Sequence, residues 1–138
     1  MRRIPLTAAL AVALGLPAAA PTAAPAKATF VSKLKVPGHH PKAGKRWTVT
    51  VTARTRSGKA LRATALYQFL YQGQVVSTQG PTPHGPDNKR PYHFKGVMHD
   101  PSFTWPARSV GYRLTLRVVV RVKGRGKRNL DYWVRVRR

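Results

Sequence analysis

An all-β fold, a single antiparallel β-sandwich of seven to eight short strands, is what this sequence predicts, with a small closed barrel as the alternative. Three observations carry the prediction. Apolar and polar residues alternate with period two in residues 46–54, 112–123 and 130–136, the pattern of strands with one face buried and one wet. Glycine and proline supply 11 and 12 of the 138 residues and punctuate the chain about every ten positions. Past residue 29 no stretch sustains the 3.6-residue spacing of a helix.

The elements follow in order. Residues 1–28 have the layout of an export signal: Arg2 and Arg3, an apolar run over 4–16 and the small-residue tail PAAAPTAAPAKA. The run is too short to span a bilayer, and cleavage is expected after Ala26 or Ala28. The mature chain, 29–138, is then one domain of about 110 residues without a transmembrane segment.

The first strand is expected over 30–36, ending at Pro37-Gly38, with His39-His40-Pro41 carrying a turn. In 46–54 Trp47, Val49, Val51 and Ala53 share one face, and Thr48, Thr50, Thr52 and Arg54 share the other. Residues 61–71 and 74–78 form a hairpin closed at Gln72-Gly73, with Tyr71 opposite Gln74, Leu70 opposite Val75 and Phe69 opposite Val76. Both faces of this hairpin are apolar, so which one is buried stays open between them; Tyr67 and Phe69 are the favoured core residues. The twelve residues 80–91 contain four prolines and are expected to be a loop, functional or mobile. Short strands are expected over 92–98 and 102–105, split by Asp100-Pro101.

The last hairpin has the sharpest pattern. Leu114, Leu116, Val118, Val120 and Val122 face one way, as do Leu130, Tyr132, Val134 and Val136. Leaving 124–128 as a loop and matching the apolar faces pairs Val122 with Leu130 and Val120 with Tyr132. Arg121 then meets Asp131, Val119 meets Trp133, and Arg117 meets Arg135. Strands of this number and spacing suit a β-sandwich of immunoglobulin type.

Some runs also resemble a known family. Pro41-Lys42-Ala43-Gly44-Lys45-Arg46-Trp47-Thr48-Val49-Thr50-Val51, followed by Ser57-Gly58-Lys59 and Leu61, is similar to the opening of the bacterial Ig-like domains found in small secreted proteins, with Ala60 where those carry proline. Phe103-Thr104-Trp105-Pro106-Ala107 and Gly111-Tyr112-Arg113-Leu114 resemble the corner between strands E and F of the same sandwich. The resemblance implies a tyrosine corner at Tyr112, the Ig-like fold and secretion. It transfers no activity, because such sandwiches host adhesion, scaffolding and ligand binding alike.

Charge narrows the function classes. Lys and Arg number 26 against three acids, Asp87, Asp100 and Asp131. Taking Arg2 and Arg3 from the 26 leaves 24 basic against 3 acidic residues, a net +21 for the exported chain. Such a field attracts anionic polymers, either cell-wall polymer or nucleic acid, and outside a cell the envelope is the nearest polyanion. The same residues also serve simply as solvated outward positions of strands.

Enzymatic chemistry lacks parts. There is no Glu, no Cys and no G-x-S-x-G, H-E-x-x-H or phosphate-loop motif, so neither a carboxylate pair nor an activated nucleophile is in view. No cofactor is expected. Scattered imidazoles at His39, His40, His84, His93 and His99 lack metal-ligand spacing, and no covalent sorting signal or lipid-bearing Cys is visible.

The one feature with functional shape is the outward face of the last hairpin, where Arg113, Arg117, Arg121, Arg135 and Arg137 are expected beside Trp133. Arg125, Lys127 and Arg128 extend it. Guanidinium forks suit phosphate and carboxylate, and an exposed Trp offers a stacking plate. The expectation is therefore a secreted, non-enzymatic binding or structural module, held at the cell envelope by its basic surface. The alternative is an extracellular nucleic-acid or anionic-polysaccharide binder. A cationic membrane-active protein fits less well, because the basic residues sit on strands and not on an amphipathic helix.

Overall fold

Alternation becomes two antiparallel sheets in the computed structural model, which describes residues 27–82 and 89–138. Residues 1–26, most of the expected export signal 1–28, and residues 83–88 of the proline-rich stretch, with His84 and Asp87, lie outside the described residues. The strands are β1 (Val31–Lys35), β2 (Val49–Arg54), β3 (Arg62–Tyr71), β4 (Gln74–Gln79), β5 (Tyr92–Lys95), β6 (Val97–Asp100), β7 (Arg113–Val122) and β8 (Gly126–Arg135). A short 3-10 turn occupies Ala107–Ser109. One sheet has the order β1-β2-β6; the other has the order β4-β3-β7-β8, with β5 pairing β3 beyond the end of β4. No helix among the described residues is long and apolar enough to cross a membrane.

The two sheets enclose a single core. Val49, Val51 and Met98 of the smaller sheet, with Trp47 just before β2, meet Ala65, Tyr67, Leu116, Val118, Val120 and Val134 of the larger one. Burying each large apolar side chain contributes about 1.5–3 kcal/mol, and this is the term that drives the sheets together. Tyr67 is fully buried and Phe69 packs against the core, which resolves the hairpin face in favour of those two. Phe69, Phe103 and Trp47 surround Trp105 edge-on.

Between β5 and β6 the chain passes from one sheet to the other at a single residue. Residues 92–98 were expected to be one strand; the structure splits them at Gly96, with β5 in one sheet and β6 in the other. Gly96 has φ 74°. Its N–H donates to the Leu61 carbonyl and its carbonyl accepts from Ala53 N–H, both at 2.9 Å. A Cβ there would stand 2.8 Å from the Ala60 Cβ. Left-handed backbone and lack of room therefore require glycine at this corner. Gly96→Ala is expected to cost about 2 kcal/mol, combining the φ penalty with the clash, as read from a thermal or denaturant unfolding midpoint.

Asp100 is a further departure from expectation. Read from the sequence as turn punctuation, it is 0% exposed. Its Oδ2 accepts from Tyr67 Oη at 2.9 Å and from Thr82 N–H at 3.0 Å, and Ser102 N–H points at Oδ1 from 3.4 Å. Because β6 and β3 belong to different sheets, this carboxylate ties the layers together and fastens the start of the loop after β4. Residues 102–105 form no full strand; Arg46 and Thr104 make an isolated bridge.

Residues 39–43 form an edge strip and not the expected simple turn. Arg135 N–H donates to His39 O, Arg137 N–H to Pro41 O, and Ala43 N–H to Arg137 O, with Lys42 and Arg137 bridged in parallel. The strip covers the open edge of β8, where an unpaired ladder would invite association.

Candidate anion-binding face

The β7–β8 hairpin positions the candidate face, and its turn is tighter than the sequence suggested. Val122 pairs with Gly126 and not with Leu130, a displacement of four residues along β8. Arg125 N–H donates to Val122 O at 2.9 Å, while Gly124 and Gly126 take φ 76° and 92°. Two glycines with positive φ let the chain reverse over residues 123–125 alone, so 126–128 join the strand. Four is even, so the inward and outward faces survive the slip. Every cross-strand partner changes: Arg117 meets Asp131, Arg113 meets Arg135, Thr115 meets Trp133 and Val119 meets Asn129. The expected pairs Arg121–Asp131, Val119–Trp133 and Arg117–Arg135 are not formed.

Consequences for the predicted residues differ one by one. Arg117 donates from Nε to Asp131 Oδ1 at 2.8 Å and from Nη2 to Oδ2 at 2.9 Å. These hydrogen bonds to the carboxylate raise the guanidinium pKa further, against slight desolvation. The pair is a bidentate fork that neutralises its own charge. Arg125 donates to Thr29 O, and Arg128 donates to Phe30 O at 2.6 Å while lying over the Phe30 ring. Both fasten the segment at residues 29 and 30 and do not extend the face.

Trp133 is 38% exposed, yet its ring is already engaged. The His39 imidazole stacks on it at 4.0 Å with planes 13° apart, and the Arg113 guanidinium lies 4.9 Å from its centroid. His39 Nδ1 also donates to the Trp133 carbonyl at 2.6 Å. The expected free stacking plate is thus taken up within the molecule. Tyr112, where the resemblance implies a tyrosine corner, is 50% exposed and meets Tyr71 edge to face. The corner does not form.

Across the outer face of the larger sheet, cationic and neutral rows then alternate. At one end Arg113 and Arg135 stand opposite each other and border a groove of about 460 Å³ shared with Tyr71, Tyr112 and Thr115. In the middle lie Leu66 beside Val119 and Asn129, then Gln68 beside the Arg117–Asp131 pair, then Leu70 beside Thr115 and Trp133. Val119 is only 7% exposed although it points outward, flanked by these neighbours. At the other end a row runs His93, Thr64, Arg121, Lys127 across four strands, with Arg62 opposite Lys95 just beyond it. Arg62, Lys95, Arg121 and Lys123 line a groove of about 500 Å³ there.

The structure therefore divides the predicted face. Arg113 and Arg135 are together with Trp133; Arg121 belongs to the far end; Arg117 is internally paired; Arg137 is exposed beyond β8, its backbone held by the edge strip. Arg62, His93 and Lys95 were missed. Once Ala63, Ala65 and Tyr67 are inward, alternation puts Arg62 outward; that β3 lies beside β7 is a long-range pairing with no local signal. Comparison of the chain with protein families, with curated proteins and with solved structures finds no match in any of the three.

Proposed function

We propose that this chain is an exported, non-enzymatic Ig-like module held at the cell envelope by adsorption of anionic polymer to the outer face of its larger sheet. The single observation behind this is the imbalance of that face: Asp131 is the acid paired there, and it is matched by Arg117, leaving Arg113, Arg135, Arg121, Lys123 and Arg62 exposed with no acidic partner among the described residues. Such a surface concentrates polyanions and releases their counterions on binding. The strand orders β1-β2-β6 and β4-β3-β7-β8 support an Ig-like assignment, since they correspond to strands A, B, E facing C, F, G with β4 flanking C. The parallel bridge between 42 and 137 fits a first strand that crosses to the last one.

Cell walls of the producing organism, loaded with the mature domain, provide the test when challenged separately with poly(glycerol phosphate) and single-stranded DNA at equal phosphate. Release by the glycerol phosphate polymer is expected; release by DNA alone would replace this proposal with a nucleic-acid function. A second expectation concerns the internal pair. Asp131→Ala frees Arg117, so affinity for either polymer should rise and the slope of log K against log salt should steepen by about one. Stability should fall by no more than ~1 kcal/mol, because the pair is exposed to water.

A further inference from the structure

We propose that the two cationic ends of the larger sheet are separate subsites for one linear phosphate chain, which must be long enough to span the neutral belt between them. This rests on the anionic-polymer proposal above and adds a second site, Arg62, Lys95, Arg121 and Lys123, together with a length requirement. Arg113 and Arg121 are eight residues apart on one continuous strand, so at ~3.3 Å per residue the ends stand roughly 26 Å apart. Between them the outward positions Leu66, Val119, Gln68 and Leu70 bear no charge, and Arg117 is cancelled by Asp131. At physiological salt charges are screened over ~8 Å, so neither end feels a short anion bound at the other.

The face thus has the form of a bivalent receptor. An anion smaller than the gap occupies one end. A chain that reaches both converts the second contact into an intramolecular one, and its affinity rises without any new contact type. The ligand class follows from the side chains. Guanidinium and ammonium groups on a ridged sheet suit the regularly repeated charges of a phosphate backbone. The face offers little to flat bases, because the Trp133 ring is taken by His39 and Arg113, while Tyr71 and Tyr112 meet each other edge to face. A base-free chain such as a poly(alditol phosphate) is the partner that matches; single-stranded nucleic acid shares the phosphates but gains no stacking.

Titration calorimetry with two inorganic probes, tripolyphosphate and long-chain linear polyphosphate, tests this at equal phosphate concentration. The full mature domain should bind the long chain at least about 30-fold more tightly per phosphate, and with a salt slope roughly twice as steep. Arg121→Ala/Lys123→Ala and Arg113→Ala/Arg135→Ala should each reduce that ratio to below about 3-fold while leaving tripolyphosphate binding measurable at the intact end. Lys33→Ala/Lys35→Ala removes the same charge from the opposite sheet and should keep the ratio. Saturable binding with no length dependence, or an equal loss in the Lys33/Lys35 variant, overturns the two-subsite proposal while the general anionic-polymer proposal survives. Absence of saturable binding to both probes overturns both. If single-stranded DNA of matched length binds more tightly than poly(glycerol phosphate), a base-free partner is the wrong choice.

Discussion

Asp100→Ala is expected to lower the stability of the domain by about 3 kcal/mol, a fall of roughly 15 °C in Tm, measured by circular dichroism on heating. The substitution leaves the buried Tyr67 hydroxyl and the half-buried Thr82 amide without the carboxylate that accepts from both, and an unsatisfied buried donor costs about 1–3 kcal/mol. It also releases the bond between sheets. The same contact predicts an alkaline limit. Burial, then the Asp100 charge and the hydrogen bond to it, push the Tyr67 pKa upward from its ordinary value. Tyr67 is therefore still neutral in the fold at pH values where the unfolded chain ionises. Its stabilisation is complete below the unfolded pKa of about 10 and lost as pH rises beyond it, at up to about 1.4 kcal/mol per pH unit. Tyr67→Phe, less stable at neutral pH, should lack this slope. Parallel stability curves for the two proteins between pH 9 and 11, by chemical unfolding, would contradict the assignment.

Charge reversal at the Arg113–Arg135 end is expected to have the largest effect on binding. Arg113→Glu/Arg135→Glu turns two attractive contacts into repulsive ones, and affinity for poly(glycerol phosphate) should drop by about 100-fold at low salt. The difference should narrow as salt increases, because the loss is electrostatic and exposed. Stability should fall by no more than about 1 kcal/mol: both side chains are exposed, the variant exchanges one like-charge pair for another, and the loss is that of the Arg113–Trp133 contact. Retention of the variant on cell walls, measured by pelleting across a salt series, would detach this end of the face from the proposed function.

How much of this was readable in the residues depends on the range of the interactions involved. Alternation is local, so the inward sets Trp47, Val49, Val51, Ala53 and Leu116, Val118, Val120 emerged without ambiguity and are buried. Gln72-Gly73 was legible as a hairpin turn, and both residues have positive φ. Phe69 nevertheless pairs with Ser77, because the ladder shifts between Phe69 and Leu70; period-two patterns carry no sign of a bulge. Register in β7–β8 escaped for a related reason: apolar faces match equally well after an even slip, and what decided it was the space two glycines permit at 124 and 126. Long-range facts were not legible at all. Nothing near Asp100 announces Tyr67 as its partner, and nothing near His39 announces the Trp133 ring. The basic face was half visible, since β7 and β8 show their arginines, whereas Arg62 and Lys95 join it only because β3 lies beside β7 and β5 beside β3.

Amide chemical-shift mapping of isotope-labelled residues 29–138 during titration with poly(glycerol phosphate) is the most direct measurement of which surface binds. Shifts should be largest at Arg62, Arg113, Arg121, Lys123 and Arg135, and small at Lys33, Lys35, Thr50 and Thr52 on the smaller sheet. Dominant changes at that second set, or changes spread evenly over both sheets, would contradict a dedicated anion-binding face.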